Sequence, residues 1–97
     1  MNYRFSKAAK ADLYEIIEYL RTRGSRKVAA RVLRELREAI QKICDNPGIG
    51  HRREDLTSQP VRFYRVYKYL IIYREQSNPL LIVRILHGAR DVRSLLG

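Results

Sequence analysis

Residues 61–74 read VRFYRVYKYLIIYR. β-Branched and aromatic residues dominate this stretch, and such residues favour the pleated, half-buried surface of a sheet. The pattern predicts strands over Val61–Val66 and Tyr69–Arg74, with Tyr67 and Lys68 between them as a two-residue turn. The turn contains no glycine or Asn-Gly pair, the residues that usually supply its left-handed backbone conformations. The stretch therefore predicts a β-hairpin with unusual turn chemistry.

A third strand and a short helix are predicted downstream of the hairpin. Ser77-Asn78-Pro79 has the composition of a turn, and residues 80–86 are again aliphatic and β-branched. Strands joined by such short turns pair as antiparallel neighbours. We expect Asp91 to cap a last helical turn that runs through Leu96.

Upstream of the hairpin, apolar residues recur with the period of an α-helix. A short β-prone stretch, Tyr3–Phe5, precedes Ser6, which is a suitable N-cap for a first helix. Gly24 lies where a helix C-cap favours a left-handed residue. The apolar stripe of this helix has i, i+3, i+4, i+7 spacing and consists of Leu13, Ile16, Ile17 and Leu20.

A second helix follows directly. Ser25 is its expected N-cap, and Asn46-Pro47 ends it because proline disfavours helix in the residue before it. Its apolar stripe consists of Ala29, Val32, Leu33, Leu36, Ile40 and Ile43. Two amphipathic helices joined by a Gly-Ser turn form an αα-hairpin. The sequence therefore predicts one α+β domain over residues 1–97, of order β-α-α-β-β-β, in which the helical hairpin packs on one face of an antiparallel sheet and a short C-terminal helical turn follows.

The charge balance indicates an acidic macromolecular partner. The 97 residues include 20 Lys and Arg against 10 Asp and Glu, a formal net charge of +10. Such a surface attracts polyanions or acidic proteins, and 15 of the basic residues are Arg, whose planar fork suits phosphate and carboxylate. On the second helix, Lys27, Arg31 and Arg34 share the face opposite the apolar stripe. They form either a partner contact or a solvated face that Glu38 partly neutralises.

Several classes of site lack their residues in this sequence. There is no glycine-rich phosphate loop and no Ser-His-Asp pattern. The two histidines, His51 and His87, lie far apart without acidic ligands at metal-binding spacing. Cys44, the only cysteine, excludes an intramolecular disulfide and is expected to be a small buried apolar residue. We therefore expect no cofactor, no metal and no small-molecule substrate.

Neither export nor membrane insertion is indicated. The first residues lack the apolar core of a secretory signal. The longest apolar run, Tyr69–Tyr73, is much shorter than a membrane span. We expect a cytoplasmic protein without membrane contacts.

Basic residues and a histidine on the predicted strands are the remaining candidates for function. Arg62 and Arg65 point to opposite faces of the first hairpin strand. Arg84, His87 and Arg90 gather near the end of the last strand. Metal-free RNA cleavage needs a base, an acid and an arginine that stabilises the phosphorane, and Arg65, Arg84 and His87 are the candidates for those roles. Alternatively, His87 closes a strand end by hydrogen bonding to the backbone.

Four segments, in the same order along the chain, resemble the RelE/ParE toxin superfamily. Residues 11–20, ADLYEIIEYL, resemble its first helix, and residues 46–50, NPGIG, resemble the loop after its second helix. Residues 61–74 resemble its central hairpin. Residues 84–91, RILHGARD, are similar to the C-terminal signature of the ParE branch. The resemblance covers nearly the whole chain.

This resemblance implies the toxin half of a type II toxin–antitoxin pair, often a plasmid-stabilisation or stress-response module. It also implies an acidic antitoxin that wraps the toxin. In the ParE branch the implied target is DNA gyrase, inhibited by binding without chemistry, whereas in the RelE branch it is mRNA cleaved at the ribosome. RelE-type nucleases often place a Tyr or His at the extreme C-terminus, but this chain ends Ser94-Leu95-Leu96-Gly97. The pattern favours the ParE branch, and no catalytic residue is assigned.

Two surfaces are predicted to bind the antitoxin. One is the exposed arginine face of the helical hairpin, and the other is the sheet face around Arg62, Arg65 and Arg90. The predicted contact residues are Arg31, Arg34, Arg62, Arg65, His87 and Arg90.

Overall fold

The predicted order of elements is confirmed by a computed structural model of the chain, which describes residues 3–88 and 92–96. The elements in chain order are β1 (Tyr3–Phe5), α1 (Lys7–Arg23), α2 (Arg26–Asp45), a 3-10 turn (Pro47–Ile49), β2 (Arg62–Val66), β3 (Tyr69–Arg74), β4 (Leu80–His87) and α3 (Val92–Leu96). Asp91, the expected cap of the last helix, lies outside the described residues.

The four strands form one sheet in the order β1-β4-β3-β2. Strands β2, β3 and β4 form the predicted antiparallel meander. β1 instead pairs in parallel with β4, from Tyr3 opposite Leu80 to Phe5 opposite Ile82, so the sheet is mixed rather than wholly antiparallel. A parallel partner needs a long connection, and the helical hairpin between β1 and the meander supplies one.

Both helices of the hairpin begin at the predicted caps. The Ser6 hydroxyl accepts a hydrogen bond from the Ala9 amide at 3.0 Å, and Ser25 accepts one from the Val28 amide at 3.2 Å. Gly24 is the C-cap of α1, but its φ of −109° is not left-handed, contrary to prediction. A Cβ at Gly24 would lie 2.9 Å from the carbonyl oxygen of Leu20, so close approach explains the glycine.

The sheet is covered on both faces. On one face α1 and α2 build a helix-side cluster with the sheet, and Cys44 packs against it partly buried. Its fully buried members include Ala9, Leu36, Ile40, Ile43, Ile71, Tyr73 and Ile82. On the other face a smaller cluster joins the sheet to α3 through Val61, Phe63, Ile72, Leu86, Val92 and Leu96. No helix of the described part of the chain is long and apolar enough to cross a membrane.

A buried hydroxyl fastens the loop after α2 to the sheet. Tyr73 donates a hydrogen bond to the Pro47 carbonyl at 2.6 Å and accepts one from the Gly50 amide at 2.9 Å. Arg62 donates to the Gly50 carbonyl at 2.9 Å and pairs with Glu75 at 2.6 Å. A Cβ at Gly50 would lie 2.7 Å from the Tyr73 hydroxyl, so only glycine fits there. The last glycine of the NPGIG turn is therefore explained by this network.

Candidate functional site

An open groove of about 640 Å³ lies between α1, the adjoining ends of β3 and β4, and α3. Two residues predicted to be functional, Arg84 and His87, line this groove. The rest of its wall mixes aromatic, apolar and charged side chains: Tyr19, Tyr69, Ile16, Ile85, Leu86, Leu95, Asp12, Glu15 and Lys68. The described residues contain no group of three or more His, Cys, Asp or Glu placed to hold a metal ion.

Arg84 is engaged by a carboxylate from α1. Its Nε and Nη2 atoms donate to the two Asp12 carboxylate oxygens, each at 2.7 Å, and the Ile85 amide donates to the same carboxylate at 3.0 Å. The two side chains are only 18% and 11% exposed. The hydrogen bonds to Asp12 raise the pKa of the Arg84 guanidinium above its ordinary value. A ligand phosphate or carboxylate would have to displace Asp12 to reach this arginine.

His87 lies exposed at the end of β4. Its ring meets the Tyr69 ring edge to face, with the centroids 5.6 Å apart. Burial raises the pKa of the Tyr69 hydroxyl above its ordinary value, so this phenol stays protonated near neutral pH. His87 is therefore an accessible imidazole on an aromatic wall of the groove.

Arg65 is not among the residues that line the groove. Its neighbours in β2, Tyr64 and Val66, pack against the helix-side cluster, so alternation turns Arg65 toward the α3 side. His87 is paired with Tyr69, which belongs to the helix-side cluster. The structure thus brings Arg84 and His87 together in the groove and leaves Arg65 outside it.

The residues predicted to contact a partner on the sheet face do not all lie on one face of the sheet. Arg62 faces the helix side of the sheet and is held by Glu75 and the Gly50 carbonyl, whereas Arg65 is exposed on the other face. Arg90, the third predicted residue of that face, lies outside the described residues. Of these predicted contacts, Arg65 is the one that the structure leaves open to a partner.

On α2, the predicted residues Arg31 and Arg34 are exposed and have no ion-pair partner among the described residues. The turn between β2 and β3 reaches this helix, because the Tyr67 hydroxyl donates a hydrogen bond to the Glu35 carboxylate. That hydrogen bond is the main reason that the pKa of the Tyr67 hydroxyl is raised, and the nearby charges of Arg31 and Arg34 lower it by less. We call Arg31, Arg34, Glu35 and Tyr67 the tip patch.

Sequence reasoning missed Asp12, Glu35 and Tyr67. Asp12 lies directly beside the apolar stripe of α1, and an acid at the border of a buried stripe was the available signal. For Tyr67 the signal was an aromatic residue at a turn position that normally takes glycine or asparagine. Nothing in the spacing pairs Tyr67 with Glu35, 32 positions away.

Comparison with known proteins agrees with the fold and the motifs. The family described as ParE toxin of type II toxin–antitoxin system, parDE, matches residues 3–92. Toxin ParE1 of Caulobacter vibrioides is 35% identical over 95 residues, which cover 98% of this chain and 97% of that protein. A solved structure described as the chromosomal ParDE TA system from P. aeruginosa has a TM-score of 0.75 and 20% identity, and the match covers 91% of this chain and 96% of that one. The chain belongs to the ParE toxin family of type II toxin–antitoxin systems.

Proposed function

We propose that this protein is a toxin that inhibits DNA gyrase by binding to it, and that a cognate acidic antitoxin neutralises it. The observation that carries the proposal is the match to the ParE family over residues 3–92, since the ParE branch is the one for which gyrase is the implied target. Inhibition by binding requires a shaped surface and no catalytic centre.

The arrangement of the candidate nuclease residues supports binding over chemistry. Cleavage of RNA would need Arg65, Arg84 and His87 to act on one phosphate. Arg65 does not line the groove that Arg84 and His87 share, and Arg84 is already held by Asp12 at 2.7 Å. His87 alone offers an acid or base without an arginine that is free to stabilise the charge of the transition state.

An acidic antitoxin is supported by charge and by kinship. The chain has a formal net charge of +10, and the arginines of the tip patch have no ion-pair partner in the part of the chain that the structure describes. The structural relative from P. aeruginosa is described as a ParDE toxin–antitoxin system. Complementary charge accelerates association and favours the correct partner.

Induction of the chain without antitoxin in growing cells tests the proposal. We expect growth arrest with intact transcripts, relief by co-expressed antitoxin, and unchanged arrest by His87→Ala. The matched control is Arg65→Ala, which alters the other candidate while leaving the groove unchanged. Transcript cleavage that His87→Ala abolishes would contradict the proposal and identify an endoribonuclease instead.

A further inference from the structure

Tyr67 adopts a backbone conformation that tyrosine disfavours. Its φ is +57°, and it is the one non-glycine residue with positive φ among residues 3–88 and 92–96. Left-handed backbone brings Cβ too close to the following carbonyl oxygen, and a turn of this kind normally uses glycine, asparagine or aspartate. The backbone conformation therefore gives no reason to prefer tyrosine at this position, and residues that keep such strain cluster at functional sites.

The Tyr67 side chain is exposed and yet held in place. The residue is 56% exposed, so much of its ring is available to a partner. Its hydroxyl is tied to Glu35 on α2, which fixes the direction in which the ring points. A side chain held in this way loses little conformational entropy when a partner covers it.

The chemistry around the ring suits a carboxylate. Arg31 and Arg34 lie near enough to the Tyr67 hydroxyl for their charges to act on it, and neither has an ion-pair partner among the described residues. Two unpaired guanidinium groups are therefore available to a carboxylate beside the ring. Tyrosine and arginine are also the residues most often found at the energetic centre of protein interfaces. A nucleic acid is a poorer match, because its affinity grows with the number of phosphates neutralised and this patch offers two arginines beside a carboxylate.

We propose that the tip patch is the docking point for an acidic segment of the antitoxin, with Tyr67 as its anchor and Arg31 and Arg34 pairing with the segment's carboxylates. This inference rests on the proposed function, because it takes the antitoxin as the partner. Two surfaces were predicted from the sequence to bind the antitoxin. The proposal selects one of them, the exposed arginine face of the helical hairpin, and extends that surface to the β2–β3 turn.

The test compares Tyr67→Asn with wild type for stability and for antitoxin affinity. Asparagine tolerates the left-handed conformation, so the urea midpoint should stay the same or rise despite the lost hydrogen bond to Glu35. Affinity for the purified cognate antitoxin should fall about tenfold or more by calorimetry. Tyr67→Phe, which keeps the ring, should lose less. The matched control is Tyr14→Ala, which removes a 70% exposed tyrosine from α1 and should leave affinity unchanged.

Three results would overturn the proposal, and they differ in whether the proposed function fails with it. If wild type binds the antitoxin and Tyr67→Asn binds equally well, the docking point is elsewhere while the proposed function stands. If folded wild type does not bind the antitoxin, the proposed function fails together with the docking point. If Tyr67→Asn loses only the binding of a fluorescent DNA duplex, the tip patch serves nucleic acid instead.

Discussion

Removing the Asp12 carboxylate should destabilise the fold more than any surface charge change. In Asp12→Ala, Arg84 and the Ile85 amide lose three hydrogen bonds, of 2.7, 2.7 and 3.0 Å, in a site where the two side chains are 18% and 11% exposed. Breaking a buried ion pair by removing one partner costs about 3–5 kcal/mol, because the other charge stays buried and unpaired. The site is not fully closed to water, so we expect about 3 kcal/mol.

A double-mutant cycle separates the ion pair from its surroundings. Arg84→Met should cost about 2 kcal/mol, because Asp12 keeps its hydrogen bond to the Ile85 amide. The double variant should cost about 3 kcal/mol rather than the sum, which gives a coupling energy of about 2 kcal/mol.

Urea unfolding followed by circular dichroism measures all four corners of the cycle. For a domain of this size, about 3 kcal/mol lowers the Tm by about 12–24 °C, so thermal unfolding gives an independent check. Single variants that each cost less than about 0.5 kcal/mol, or a coupling energy near zero, would refute the role of this pair in joining α1 to β4.

Three further outcomes follow from contacts elsewhere in the fold. Tyr73→Phe should cost about 2–3 kcal/mol in urea unfolding, because it leaves a buried amide and a carbonyl of the loop without their partner; a loss below about 0.5 kcal/mol would mean that water replaces the hydroxyl. Gly24→Ala should lower the free energy of unfolding in the same assay, because the new Cβ would lie 2.9 Å from a backbone carbonyl oxygen; a higher free energy of unfolding would show that the backbone of the turn moves to accommodate the Cβ. Arg62→Glu should lower the Tm by placing its carboxylate against Glu75, while Arg65→Glu, on the open face of β2, should leave the Tm unchanged; equal effects would contradict the placement of these two arginines.

The elements were predictable because their signals are local. Ser6 and Ser25 cap the helices through hydrogen bonds to amides three residues away, and the predicted stripe of α2 contains every buried residue of that helix except Ala39. The strands of the meander were predicted to within a residue at each end. The alternation of side chains along β2 is enough to place Arg62 and Arg65 on opposite faces of the sheet.

Partners that are distant in sequence were not predictable. Periodicity reports which face of an element is buried but not what covers it, so the pairing of Arg84 with Asp12, 72 positions away, left no trace in the pattern. The parallel pairing of β1 with β4 was missed for the same reason. The NPGIG turn was recognised, but the Tyr73 hydroxyl that explains its last glycine is 23 positions from it. For the candidate site, the sequence supplied Arg31 and Arg34 but not the tyrosine that lies beside them.

Inhibition of gyrase by binding is tested most directly by purified protein with gyrase, relaxed plasmid and ATP. Supercoiling and trapped double-strand breaks are scored together, with and without antitoxin. We predict inhibition of supercoiling or trapped breaks, reversed when the antitoxin binds, and equal inhibition by wild type and His87→Ala. Full supercoiling activity in the presence of excess folded toxin would contradict inhibition by binding.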